Sequence, residues 1–275
     1  MRMALCNEVI REFPFERQCA LAAGLGYAAL EIAPFTLSGE PHRLDAATVA
    51  RLRRTAESAG IAVSGLHWLL VTPSGLSITS ADAEVRARTV AVMERLITLC
   101  AELGGGYLVH GSPAQRMLEP GREAEGRAHA RECLARAARA AEQAGVTYCL
   151  EPLSPEETNF VNSVEEAVAI VREIGSPALR TMLDHRAACL AERETPAELL
   201  ERWLPGGMIA HVHLNDRNKG APGQGEDRFA PVLATLSRHA YAGTLGIEPF
   251  LYRPDGPTCA ARAIGYLQGI LEAIR

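Results

Sequence analysis

Residues 124–153 read AEGRAHARECLARAARAAEQAGVTYCLEPL, and this stretch decides the fold. From Ala124 to Ala144 the chain is rich in Ala, Arg and Glu with apolar positions at helical spacing, and Gly145 is a residue that ends such a helix. Thr147 to Glu151 is a short apolar run closed by a carboxylate. Pro152 disfavours helix at that glutamate and stops ladder pairing beyond it. A long helix thus hands over, through a glycine, to a short buried strand that ends in a stiffly held acid.

The same hand-over recurs along the whole chain. Strands are expected at Met3–Cys6, Ala28–Ile32, Ala62–His67, Tyr107–His110, Thr147–Glu151, Thr181–Asp184, Ala210–Leu214 and Thr244–Glu248. Helices are expected at Phe15–Leu25, Ala46–Ser58, Ala81–Leu103, Ala124–Ala144, Val164–Ile174, Pro196–Trp203, Phe229–His239 and Cys259–Ile274. Ser163 followed by Glu166 has capping-box spacing, and Thr195 before Pro196 offers an N-cap with proline at the first helical position. Eight alternations over 275 residues allot about 34 residues to each. Parallel strands joined by right-handed crossovers close at eight into a single-domain (β/α)8 TIM barrel, here spanning residues 1–275. The alternative is an open doubly wound sheet. Against it, no GxGxxG follows the first strand, and polar residues gather at the ends of late strands as well as early ones.

Composition narrows the function classes. With 48% hydrophobic and 22% charged residues the chain has apolar mass for one large core, which excludes disorder, collagen and a disulfide mini-scaffold. Lys and Arg number 28 against 33 Asp and Glu, a net charge of −5, so no basic nucleic-acid-tracking surface is evident. The N-terminal MRMALCNEVIREF lacks the long apolar core and cleavage site of a signal peptide, and no stretch approaches the roughly 18 apolar residues of a membrane span. Seven scattered cysteines without a CxxC read as reduced thiols, so the expected compartment is the cytoplasm.

In a barrel, polar residues at the C-terminal ends of strands line the mouth where active sites are built. Here they are Asn7 with Glu8, Glu31, His67, His110, Glu151, Asp184, His211 with His213, and Glu248. Glu151, Asp184, His213 and Glu248 are separated by 33, 29 and 35 residues, one βα repeat each, so all four can meet at one height. Gathered carboxylates repel one another without a cation. Three carboxylates and one imidazole suit a divalent ion such as Mn²⁺, Mg²⁺ or Co²⁺ rather than a thiolate zinc site. Glu151 and Glu248, in the matching contexts CLEPL and GIEPF, would lie on opposite sides of one ion, a geometry for moving a proton between the faces of a substrate.

The motifs CLEPL, MLDH, HVHLND and GIEPF, in this order and on these strands, resemble the xylose-isomerase-like TIM barrels of the sugar phosphate isomerase/epimerase group. That group includes ketose 3-epimerases, hydroxypyruvate isomerase and the endonuclease IV branch. The resemblance runs from LCNEVI through GYAALEIAPF and GLHWLL to GIEPF. It implies that Glu151, Asp184, His213 and Glu248 are metal ligands, with Glu151 and Glu248 doubling as acid and base. It also places Glu157 where the epimerases bind substrate hydroxyls, and Lys219 where they often carry a substrate-binding arginine. Two departures stand out. Ala187 occupies the place of a common histidine, with His185 beside Asp184 instead, and Ser154 with Pro155 replaces a usual Asn-Arg pair.

The remaining candidates come from position alone. His67, followed by Trp68, and His110 are expected to touch substrate, Glu8 sits across the mouth, and Arg217 with Lys219 adds positive charge to the loop DRNKGAPGQG. His211, two residues before His213, is expected to be a hydrogen-bonded interior histidine. The expected activity is isomerisation or epimerisation of a small sugar, sugar phosphate or hydroxy-keto compound through an enediolate, with no membrane or nucleic-acid partner. A dehydratase, an abasic-site endonuclease and a non-catalytic sugar-binding barrel are the alternatives. Trp203 and Phe250 are apolar positions open to a homo-oligomer interface.

Overall fold

The computed structural model describes residues 1–274. Eight parallel strands, β1 (Arg2–Cys6), β2 (Ala29–Ile32), β3 (Ala62–Leu66), β4 (Tyr107–His110), β5 (Thr147–Leu150), β6 (Leu179–Asp184), β7 (Ile209–Leu214) and β8 (Thr244–Ile247), pair in sequence order. β8 returns to pair with β1 and closes the barrel. This is the (β/α)8 architecture that the alternation implies, and the open sheet is excluded. His67, Glu151 and Glu248 each fall one residue past the last strand residue, so their side chains leave a fixed ladder without being part of it.

Among the described residues, nine helices surround the barrel: α1 (Phe15–Leu25), α2 (Ala46–Ser58), α3 (Ala83–Leu103), α4 (Glu123–Ala144), α5 (Val164–Ile174), α6 (His185–Ala191), α7 (Pro196–Trp203), α8 (Ala230–Arg238) and α9 (Gly256–Ala273). Gly145 ends α4 at φ 69°, the left-handed conformation that its missing Cβ permits. Thr195 and Glu198 complete a reciprocal capping box on α7. Ser163 caps α5 by accepting from the Glu166 amide. α9 begins earlier than its apolar pattern indicates because Asp255 caps it through the Thr258 amide. The short α6 has no counterpart in the expected helices.

Strand side chains alternate between two cores. Outward residues such as Leu30, Leu66, Tyr148, Leu150, Val212 and Ile247 join the large apolar cluster under the helices. Val109, Cys149 and Met182 form a separate small cluster, flanked by Tyr107 and Ala210, on the inward face. All seven cysteines are free, and all but Cys189 are buried. No helix among the described residues is long and apolar enough to cross a membrane.

Candidate active site

The period of two fixes which strand residues face the barrel axis. On β5, with Tyr148 and Leu150 outward, Cys149 and then Glu151 face in. On β7, His211 and His213 face in, and on β8 Gly246 precedes the inward Glu248. Ligating atoms of Glu151, Asp184, His213 and Glu248 lie within 4.8 Å of one another, and all four residues are buried. Glu151, Asp184 and Glu248 form one wall of a mouth cavity of about 220 Å³ that Trp68, Glu157, Arg186, Lys219 and Phe250 help to line.

Glu31 holds this cluster from below. Its Oε1 lies 2.8 Å from His213 Nε2, and its Oε2 lies 3.1 Å from His211 Nε2 and 2.8 Å from the Tyr107 hydroxyl that donates to it. Burial works to raise the Glu31 carboxyl, but His211 and His213 beside it hold it well below the usual carboxylate range. An ionised Glu31 accepts the Nε2 proton of His213 and turns Nδ1 toward the cluster, the way an outer carboxylate orients histidines in metal sites generally. That Nδ1 is buried and faces Glu248 Oε2 at 3.0 Å and Glu151 Oε1 at 3.8 Å. Gly246 allows the arrangement, since a Cβ there would lie 2.6 Å from Glu31 Oε2 and 2.5 Å from His213 Cδ2.

Glu248 is clamped from the side. His67 Nδ1 lies 2.9 Å from Glu248 Oε1 and its Nε2 lies 3.0 Å from Glu8 Oε2, while Trp68 Nε1 donates to Glu248 Oε1 at 2.9 Å. Burial disfavours charge on His67, but Glu8 and Glu248 on its two sides raise it to about 10, so it bridges them as an imidazolium. Glu248 is drawn the other way: His213 and His67 overcome its burial and lower it to about 2.

Asp184 has a double role. Its Oδ1 caps α6 through the Ala187 amide at 2.7 Å, and its Oδ2 accepts from Asn215 Nδ2 at 2.7 Å. Burial, followed by repulsion from Glu151 and Glu248, raises it to about 8. Glu151 is raised as well, by burial and by Glu248 among its neighbours. Its carbonyl is held by Arg116 Nη1 at 2.7 Å, while its side chain lies 3.8 Å from His213 Nδ1. Gly111 gives that side chain room, because a Cβ there would fall 1.7 Å from Glu151 Oε2.

The other candidates separate clearly. His67, Glu8, Glu157 and Lys219 belong to the mouth or its supports, but His110 does not. Tyr107 and Val109 take the inward positions of β4, so His110 turns out between sheet and helices, where its Nδ1 meets the Tyr148 hydroxyl at 2.7 Å. Burial, with Arg116 nearby, lowers it to about 3 and keeps it neutral. Arg217 is committed elsewhere, its guanidinium and amide both bound to Asp227. His185 points toward Asp227 at 3.8 Å and packs on Phe229, away from the cluster, so it does not stand in for the histidine missing at Ala187. His211 lies deeper in the barrel, stacked on Tyr107 with ring centroids 4.0 Å apart. Trp203 is buried between Arg172 and Arg202, and the half-buried Phe250 lines the mouth beside Trp68.

Sequence reasoning left out Asn215, Arg116 and Arg186, and it gave Tyr107 and the Trp68 N–H no role. For Arg186 a signal existed, a cation two residues after a strand-end aspartate. For Tyr107 it was the inward parity of β4.

The residues fit a divalent ion. They offer three carboxylates, whose mutual repulsion calls for a cation, and an imidazole nitrogen turned toward them in one buried cluster. Two overlapping groupings, Cys6 with Glu31, His67 and His213, and Glu8 with His67 and Glu248, fit less well. In the second of these both His67 nitrogens are already engaged.

A family model described as xylose isomerase-like TIM barrel matches residues 19–270. The chain is 30% identical over 195 residues to an L-ribulose 3-epimerase of Mesorhizobium japonicum, a match covering 70% of this chain and 62% of that protein. It thus spans less than two thirds of that relative's length. A D-psicose 3-epimerase of Agrobacterium fabrum is 26% identical over 234 residues, 83% of this chain and 77% of that one. Among solved structures, an L-ribulose 3-epimerase superposes with a TM-score of 0.83 at 24% identity, covering 100% of this chain and 95% of that one. A D-psicose 3-epimerase solved in the presence of D-fructose gives 0.83 at 21% identity, covering 98% and 99%. At these identities the structures speak for the fold.

Proposed function

The chain belongs to the xylose isomerase-like TIM barrel family, and from that premise we propose that it is a divalent-metal-dependent epimerase or isomerase of a small polyhydroxylated carbonyl compound. The observation that carries this reading is the convergence of Glu151, Asp184, His213 and Glu248, the three carboxylates lining the mouth cavity and His213 Nδ1 facing Glu248 Oε2 at 3.0 Å. The names of the curated relatives, ribulose and psicose 3-epimerases, support a ketose-like substrate. The cavity of about 220 Å³ is below the range of about 300–1,000 Å³ usual for drug-sized ligands, in keeping with a small one.

Glu151, Asp184, His213 and Glu248 would hold the ion. The chemistry it supplies when bound is Lewis-acid polarisation of the substrate carbonyl, which makes the adjacent C–H acidic. One of Glu151 and Glu248 takes that proton as a carboxylate, leaving an enediolate, and the other, as a carboxylic acid, returns a proton. Return to the opposite face of the same carbon gives epimerisation, and return to the neighbouring carbon gives aldose–ketose isomerisation. Glu31 keeps His213 in its ligating tautomer, and His67 with Trp68 keeps Glu248 ionised and fixed in place. Divergent environments of two carboxyl groups are the usual basis for one acting as base and the other as acid.

The test is solvent exchange. In D₂O with Mn²⁺, Co²⁺ or Mg²⁺, the protein should incorporate deuterium at the carbon next to the carbonyl of a ketose, read by NMR, and Glu151→Gln and Glu248→Gln should each abolish it. Exchange retained in both variants would overturn the acid/base assignment. Activity of the metal-stripped protein equal to that of the loaded one would overturn the metal dependence.

A further inference from the structure

Arg186 is the second residue of α6 and lines the same mouth cavity as Asp184 and Glu248. Its side chain is only 5% exposed. A guanidinium buried this deeply is normally hydrogen-bonded on most of its five N–H groups, because an unmet charged donor is costly away from water. Here Nε is buried with no partner. The two nearby carboxylates are poor substitutes. Glu157 Oε2, 3.3 Å from Nη1, is already taken by the Ser154 hydroxyl at 2.7 Å, and Glu156, 3.6 Å from Nη2, belongs to a side chain 74% exposed. These are ion-pair distances, longer than the usual N–H···O bond.

The backbone nonetheless fixes Arg186 firmly. Its amide donates to Asn215 Oδ1 at 2.9 Å, and the same Asn215 side chain holds Asp184. The backbone that carries the guanidinium is therefore positioned relative to the proposed reacting centre.

Lys219 is the other cation of the cavity. Among the described residues it forms no ion pair. Its backbone sits at φ 71°, a conformation unfavourable for a residue with a side chain. The Lys219 carbonyl accepts from the amides of Phe250 and Leu251, both at 2.8 Å, and its own amide donates to Asp216 O at 2.8 Å. The fold thus holds a second, uncompensated positive charge beside the first. Of the cavity's four carboxylates, Glu151, Asp184 and Glu248 converge on one another and Glu157 is turned onto Ser154.

We propose that Arg186 and Lys219 form a subsite for an anionic group of terminal oxygens, a carboxylate or a phosphate, carried by the substrate on a carbon away from the reacting ones. The inference rests on the epimerase/isomerase reading and narrows its substrate class to acidic keto-sugars or keto-sugar phosphates. A planar guanidinium offers such a group two parallel N–H bonds, which hydroxyls of a neutral sugar cannot match.

The test compares three compounds of the same carbon skeleton with the Mn²⁺-loaded full-length protein: a free ketose, its terminal carboxylic acid and its terminal phosphate. Deuterium exchange should show kcat/KM at least tenfold higher for one of the anionic compounds, and whichever is preferred identifies the group. Arg186→Gln should lower the anionic-to-neutral ratio at least tenfold, Lys219→Gln about threefold, and Arg186→Lys should restore part of the loss. Circular dichroism checks that each variant is folded. A neutral ketose exchanged as well as both anions, or a ratio unmoved by Arg186→Gln, would overturn the subsite while leaving the epimerase reading intact. A binding arm covers the opposite case. A six-carbon sugar acid should bind at least tenfold more tightly by calorimetry than the matching neutral polyol, and this preference should vanish in Arg186→Gln. If no compound exchanges, the epimerase reading fails, and equal binding of acid and polyol then overturns the subsite as well.

Discussion

Two strand ends of this barrel have nearly the same local sequence, CLEPL at Glu151 and GIEPF at Glu248, yet their carboxylates live differently. Glu248 meets two histidines and the Trp68 N–H, and is held ionised. Glu151 is anchored through its carbonyl by Arg116, while its side chain has His213 at 3.8 Å and a space opened by Gly111. Burial and Glu248 raise its affinity for a proton. The Glu-Pro motif therefore secures a strand end, and the surroundings decide how readily the acid on it takes up a proton.

The comparison can be broken at its centre. Glu151→Gln and Glu248→Gln should each cut solvent exchange on the order of 10³-fold, within the range for loss of a positioned acid or base. Glu248→Gln should also lower the melting temperature more than Glu151→Gln, since it strips His67 of a charged partner; equal melting temperatures would remove the distinction drawn between the two acids. Next in size, Gly111→Ala places a methyl group against Glu151 and none against Glu248. A shift of that carboxylate by about 1 Å should cost about 10²-fold in kcat, and unchanged kcat would show that the space beside Glu151 is unimportant.

His67→Asn tests the other side. Removing an outer partner of a ligand typically costs about 10–100-fold in affinity or activity, and loss near the lower end is expected, together with a shift in the acid limb of the pH–rate profile. Trp68→Phe keeps the ring and removes one hydrogen bond to Glu248, so about a fivefold loss is expected from roughly 1 kcal/mol. A larger effect would point to the indole as a substrate surface.

The smallest expected effect, a few degrees, concerns pH and the metal-free protein. Asp184, raised to about 8 by burial and its carboxylate neighbours, holds a proton in the folded state that the unfolded chain releases near pH 4. Folded protein then binds more protons than unfolded between about pH 4 and 8, so stability falls as pH rises through that window. His67, raised to about 10, adds in the same direction: its contribution is complete below the unfolded value near 6.5 and is lost toward 10. Glu248, lowered to about 2, loses its contribution only on acidification. The metal-free melting temperature should therefore drop from pH 6 to 8.5, less steeply in Asp184→Asn, and Mn²⁺ should raise it more at pH 8 than at pH 6. A rise with pH in the metal-free protein would contradict this electrostatic account.

Much of this was legible in the chain, and the failures have physical causes. The βα repeat and the four strand-end residues follow from periodicity and spacing. Strand-end position alone puts His110 at the mouth, but Tyr107 and Val109 already occupy the inward face of β4, and a one-residue offset reverses the side chain. α6 is not legible in the sequence because its seven residues are too few for a clear helical stripe and its cap is Asp184, an acid of the strand-end cluster. With α6 unseen, Arg186 had no reason to stand at the mouth.

The sequence by itself determined the barrel and the height at which its acids meet, because both depend on local alternation and on a repeat of about 34 residues. Only the tertiary structure decided the state of those acids. His67 reaches Glu248 across 181 residues and Glu31 reaches His213 across 182, and such contacts exist only once the first strands have closed against the last. Protonation in a buried site depends on which charges stand within a few ångströms, and closure of the barrel sets that list.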